Sequence, residues 1–204
     1  MIPNKKGIET TILHEGWFDV LAHRKRELLD QLGKNGKKNR LIAVFGGAKV
    51  KDDSARWKRA YRLGAQLANR GGIIFNGGYG GVMESSAAGA KSVGGITVGV
   101  SCKNLPVDKV NKFIDHEWDL NRWDQRLLAL VWLADGYVVM TGGSGTLVEL
   151  SVVIETQLKG FIPTRPIVCA GSHWKPVVKR IEGTEGMVYF EREPSLVAEI
   201  VMSK

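Results

Sequence analysis

The chain has 204 residues, of which 44% are hydrophobic and 25% charged, the make-up of a globular protein with one sizeable core. Its net charge of +8 suits a phosphorylated small molecule or nucleic acid, and equally plain solubility. Cys102 and Cys169 are too few for a disulfide framework and lack zinc-site spacing, and His14, His23, His116 and His173 include no pair at metal-ligand spacing. We therefore expect two buried free thiols, no metal and no cofactor. The N-terminus has no apolar stretch of the signal-peptide kind, and no run approaches the ~20 apolar residues of a membrane span. The expectation is a cytoplasmic protein without membrane contact.

Residues 1–14 are polar and irregular, and read as an arm. Residues 17–32 place Trp17, Val20, Leu21, Leu28 and Leu32 roughly on one helical face. A turn rich in Gly, Asn and Lys ends that helix and contains the local basic cluster Lys34, Lys37, Lys38 and Arg40. We take 1–40 as an N-terminal arm and helix, and 41–204 as the main domain. From Leu41 the pattern alternates. Apolar strands are predicted at 41–45, 72–75, 96–100, 136–140 and 166–170, with helices at 54–69, 82–92, 121–134 and from 147. The helix at 82–92 is built of small residues and suits close packing. A short strand is expected near Phe113–Ile114 inside the long connection 105–120. A helix near 174–181, a strand at 187–190 and a closing helix from Pro194 complete the chain. Uninterrupted apolar strands separated by helices specify an α/β fold: a Rossmann-like, doubly wound parallel sheet with helices on both faces.

Three glycine turns follow strands: Gly46-Gly47, Gly77-Gly78-Tyr79-Gly80-Gly81 and Gly142-Gly143-Ser144-Gly145. In a parallel sheet they all fall at the carboxyl edge, where ligands bind. Phosphate on a helix N-terminus is the natural occupant. Neither later turn is a dinucleotide fingerprint, and neither has the Lys-Ser/Thr of a Walker motif. Ser144 and Thr146 offer hydroxyls to a phosphate, or act as plain N-caps. Thr146-Leu147-Val148-Glu149 also fits a capping box, so Glu149 is either a reactive carboxylate or half of that box. Arg122 and Arg126 stand four apart on the preceding helix; they are surface charges paired with Asp119 or Asp124, or they reach for phosphate or ribose. Glu84, beside Met83 after the second turn, lines the same pocket or simply favours a helix start. Lys49 and Lys51 read as surface lysines. Trp123, one of six tryptophans, stacks on a base or belongs to a core or interface.

Gly142-Gly143-Ser144-Gly145-Thr146-Leu147-Val148-Glu149 resembles the Pro-Gly-Gly-x-Gly-Thr-x-x-Glu motif of the LOG (Lonely Guy) phosphoribohydrolases, whose members have been labelled "possible lysine decarboxylase". Val44-Phe45-Gly46-Gly47 resembles the family's first strand and turn, and Asn76-Gly77-Gly78-Tyr79-Gly80-Gly81-Val82-Met83 its second glycine segment. The resemblance covers roughly 41–170. It implies hydrolysis of the N-glycosidic bond of a nucleoside 5′-monophosphate, of the cytokinin riboside or AMP type, to free base and ribose 5-phosphate. It implies Arg126 and Glu149 as catalytic residues. The glycine turns with Ser144 and Thr146 become the phosphate site, and the assembly a homodimer or larger. Four positions depart from the pattern: Thr141 stands for the motif's proline, Leu127 for a lysine, Asn76 for a glycine, and the first turn lacks a serine. The alternative within the same superfamily is a non-catalytic nucleotide or molybdenum-cofactor carrier. Single-stranded DNA binding is not expected, because no contiguous basic, aromatic-lined groove is evident.

Overall fold

The computed structural model describes residues 16–33, 39–105 and 109–203. The predicted arm and most of the basic cluster, Lys34, Lys37 and Lys38, lie outside them. In chain order the elements are α1 (Trp17–Gly33), β1 (Arg40–Phe45), α2 (Ala55–Asn69), β2 (Gly72–Asn76), α3 (Val82–Lys91), β3 (Thr97–Cys102), β4 (His116–Leu120), α4 (Trp123–Leu133), β5 (Gly136–Val139), α5 (Ser144–Leu158), β6 (Ile167–Ala170), α6 (Lys175–Val178), β7 (Val188–Glu191) and α7 (Pro194–Met202). The strands form one seven-stranded sheet in the order β4-β3-β2-β1-β5-β6-β7. Every pairing is parallel. The winding runs outward from β1 to β4, returns to β5 and runs the other way. The expected Rossmann-like, doubly wound sheet is thus the fold, and its switch point lies between β1 and β5.

Both faces of the sheet are covered, which is why the central strands read as unbroken apolar runs. One face carries Leu41, Ala43, Phe45, Phe75, Tyr137 and Val139 into a core with α1, α4 and α5. The other carries Ile42, Val44, Ile74, Val138 and Val168 against α2, α3 and α7. Leu21 and Leu28 of α1 are buried in the first core. Lys25 ties that helix down by donating to the Leu133 carbonyl at 2.7 Å and to Asp135 at 2.6 Å. Burial pulls the Lys25 ammonium below its ordinary pKa, against the opposing pull of Asp135. The small residues of α3 serve a helix contact as well as the sheet. A Cβ on Gly64 of α2 would sit 1.9 Å from the Ser86 carbonyl, and one on Gly89 of α3 1.8 Å from that of Tyr61. The two helices pack backbone to backbone, and any side chain at either position would force them apart.

Two local expectations change. The strand expected near Phe113–Ile114 forms instead at His116–Leu120. This edge strand is half-exposed: Trp118 and Leu120 point inward while His116, Glu117 and Asp119 face out. Alternation with charge hides such a strand from a search for apolar runs. The helix expected at 174–181 shortens to Lys175–Val178. Among the described residues no helix is long and apolar enough to cross a membrane.

Candidate active site

The three glycine turns meet at the switch point, and the backbone joins them. Gly47 N–H donates to the Thr141 carbonyl at 3.1 Å, and Val82 N–H donates to the Gly47 carbonyl at 3.0 Å. Between them opens a cleft of about 680 Å³. Gly46, Gly47 and Gly77 line it, together with the run from Thr141 to Thr146, Met83, Trp123, Arg126 and Glu149.

One wall is the start of α5. Its N-cap is Gly143, which offers no capping side chain. The first backbone bond of this turn is Leu147 N–H to the Gly143 carbonyl, so the preceding N–H groups of Ser144, Gly145 and Thr146 face the cleft without an intrahelical acceptor. A Cβ on Gly143 or Gly145 would meet nothing within 4 Å. Protein packing does not demand glycine there; the absent side chains leave room over the N–H groups. An uncapped helix start with open space above it has the polarity and the room to receive an anion.

Glu149 stands one turn further along α5. Because the helix begins at Ser144, Thr146 is already helical and buried, and the capping box that the sequence allowed is not formed. Among the described residues the Glu149 carboxylate has neither a hydrogen-bond partner nor an ion pair. Desolvation by the surrounding protein raises its pKa to about 7, against the lowering influence of the Arg126 charge. A carboxyl with that pKa can give or take a proton near neutrality.

Arg126 projects from the first turns of α4 and is buried. Its Nε donates to the Val100 carbonyl at 2.7 Å, and the guanidinium carbon lies 5.4 Å from the centre of the Tyr79 ring. Its far end presses on Gly77, where a Cβ would fall 1.6 Å from a guanidinium nitrogen. Glycine at 77 is therefore the condition for Arg126 to enter the cleft. The arginine is fixed by a carbonyl and a ring face, leaving its remaining N–H groups for a ligand.

Several expected pocket residues lie elsewhere. Arg122 is the N-cap of α4, not part of its helical face. It is exposed, and forms a two-point pair with Asp124 through Nε–Oδ1 at 3.0 Å and a second, shorter contact. Gly78, Gly80 and Glu84 are not among the lining residues. Gly78 spends its N–H on the Asn76 side-chain oxygen at 2.8 Å. Glu84 lies beyond the turn, near Gly80. Trp123 does reach the cleft and is 43% exposed, so its indole is open to both the cleft and solvent. Lys49 lines the cleft as well.

Sequence reasoning overlooked two residues that shape the second turn. Asn76, noted only as a departure from a glycine, is fully buried. Besides holding Gly78, it donates to the Met83 carbonyl at 3.0 Å and Ser86 at 3.3 Å. Asn111 closes the turn from the far side, donating to the Gly78 and Tyr79 carbonyls at 2.9 and 2.8 Å. A buried amide that answers backbone groups on both sides of a turn is a signal available in an Asn-Gly-Gly sequence. Cys102 and Cys169 are free and buried, and burial pushes the Cys169 thiol up to about 12, far from the reactive thiolate range.

The chain is similar to several known proteins. An uncharacterized protein of Archaeoglobus fulgidus is 32% identical over 130 residues, which is 64% of this chain and 83% of that protein. The cytokinin riboside 5′-monophosphate phosphoribohydrolase of Mycobacterium tuberculosis is 30% identical over 125 residues, 58% of this chain. The match spans only 59% of the length of that enzyme. Among solved structures, the molybdenum cofactor binding protein of Rippkaea orientalis superposes with a TM-score of 0.66 at 24% identity, covering 81% of this chain and 97% of the other. That likeness shows the fold. The resemblance to the LOG proteins stands, and since residues 39–195 match the SLOG cluster4 family, this chain belongs to that family.

Proposed function

We propose that the chain is a nucleoside 5′-monophosphate phosphoribohydrolase. The observation that carries the reading is an unpaired, desolvated carboxylate, Glu149, in the same cleft as an uncapped helix start and a fixed arginine. The 5′-phosphate sits on the N–H groups of Ser144, Gly145 and Thr146. The ribose then lies beside Glu149. The bond from C1′ to the base nitrogen breaks with its electron pair leaving on the base, and the ribosyl cation is stabilised by the Glu149 carboxylate. Water adds to C1′ as hydroxide and gives its one proton to Glu149; that proton then passes to the base nitrogen that took the electron pair, and the carboxylate is regenerated. Arg126 neutralises phosphate charge or assists departure of the base, while Trp123 stacks on the base at the mouth. The Mycobacterium relative, named for the same reaction, supports the assignment. The reading includes a homodimer or larger assembly working in the cytoplasm.

A second reading, a carrier that binds a nucleotide or the molybdenum cofactor without turnover, is favoured by the near-complete overlap with the Rippkaea protein. Incubation with AMP and with an N6-prenylated analogue, monitored chromatographically for free base, separates the two. Release by the wild type, reduced roughly 100-fold or more in Glu149→Gln, with phosphate binding retained, supports the hydrolase. No release at high enzyme concentration, together with a ligand that co-purifies and is visible by native mass spectrometry, establishes the carrier instead.

A further inference from the structure

A second cavity, of about 530 Å³, adjoins the cleft on the opposite side of the sheet edge, and the two share Arg56 and Thr141. Four guanidinium groups line it. Arg56, Arg59 and Arg62 follow one another at successive turns of α2, and Arg192 comes from the residue after β7. Arginines on a helix surface are ordinary when each projects singly into water. These converge on one concavity. Arg59 is half-buried, and its guanidinium donates to the Ala170 carbonyl at the end of β6. Desolvation, followed by repulsion from Arg192 and Arg62, holds its pKa below the ordinary value. Like charges gathered at a partly dry site are unfavourable unless something answers them.

Two acids, Glu191 and Glu193, line the same cavity. Glu191 accepts the backbone N–H groups of Arg192 at 2.6 Å and Glu193 at 2.9 Å through one carboxylate oxygen, and Glu193 is exposed, so two carboxylates face four guanidinium groups. Among the described residues no ion pair joins any of the four arginines to a carboxylate. The cavity is thus an assembled set of planar, charged donors, the geometry that suits phosphate oxygens.

We propose that this arginine cavity is a second anion site, which takes a phosphate group in addition to the one held at the start of α5. The phosphate belongs either to the distal end of a longer nucleotide that passes Thr141 or to a separate phosphorylated molecule. The site stands apart from the hydrolytic reading, because its occupancy needs no bond cleavage.

The test is titration calorimetry of the full chain in a Glu149→Gln background, so that AMP is not consumed. With AMP saturating, inorganic pyrophosphate should still bind. The double substitution Arg62→Gln and Arg192→Gln, at two exposed positions, should weaken pyrophosphate at least tenfold while leaving AMP affinity and the melting temperature unchanged. If ADP binds about tenfold more tightly than AMP, and the double variant erases that preference, one extended nucleotide fills both sites. If ADP and AMP bind alike while pyrophosphate binds beside AMP, the second phosphate is a separate molecule. Either pattern supports the site. Equal pyrophosphate affinity in both proteins, or no pyrophosphate binding to the parent at millimolar concentration, overturns it.

Discussion

Replacing Glu149 by glutamine should alter stability in a way that depends on pH, and the size follows from the site. Folding moves this carboxyl from an ordinary 4.5 to about 7. Each pH unit between those values is worth about 1.4 kcal/mol, so ionising Glu149 in the folded protein costs up to about 3 kcal/mol. The sign is that of a raised acid. Below pH 4.5 the group is protonated in both folded and unfolded chains, and contributes no difference. As pH rises toward 7 the unfolded chain releases its proton first, and the wild type loses stability. Above pH 7 the full penalty is present. Glutamine cannot ionise, so Glu149→Gln should match the wild type near pH 4 and exceed it by up to about 3 kcal/mol at pH 8. Urea unfolding of both proteins at pH 4, 6 and 8 measures this directly, with the slope of the transition held as a control. A stability difference that is flat across that range would refute the desolvated carboxyl. A variant less stable at pH 8 would indicate that the ionised group is paired.

Three further outcomes follow from the same cleft. Arg126→Met removes the charge that lowers the Glu149 pKa, so carbon-detected NMR of the Glu149 carboxyl should place its titration higher than in the wild type, and base release should fall. Gly77→Ala would put a methyl into the Arg126 guanidinium; we expect a loss of about 1–3 kcal/mol in denaturant unfolding together with loss of base release. Gly145→Ala is the counterpart, since its Cβ meets only open space. Stability should hold or rise by up to about 1 kcal/mol, while calorimetry shows weaker binding of AMP.

Much of this fold could be read from the chain because buried parallel strands leave long apolar runs between amphipathic helices. The convergence of the three glycine turns followed from the same logic, and the hydrogen bonds between Gly47, Thr141 and Val82 express it. What escaped was decided by contacts distant in sequence. The pattern from Thr146 to Glu149 permits a capping box, and only the true start of the helix at Ser144 rules it out. The spacing of Arg122 and Arg126 suggested a shared face, but Arg122 falls just outside the helix and turns to Asp124. Position 126 is drawn inward by a carbonyl of β3 and the ring of Tyr79. The edge strand at His116–Leu120 was missed because half its side chains face solvent, and the arginine cavity because Arg192 lies 130 residues beyond Arg62 in the chain.

The hydrogen bonds that join the turns divide the cleft into two kinds of material. Gly47, Thr141 and Val82 form a frame whose geometry is set by backbone bonds. Lys49, Val50, Leu105 and Trp123, by contrast, touch the cleft from its rim and hold none of the bonds that join the turns. Changes at the rim can therefore reshape what the cleft admits while the backbone frame keeps its form. A scaffold arranged in this way can change its ligand through a few substitutions, with little cost to folding.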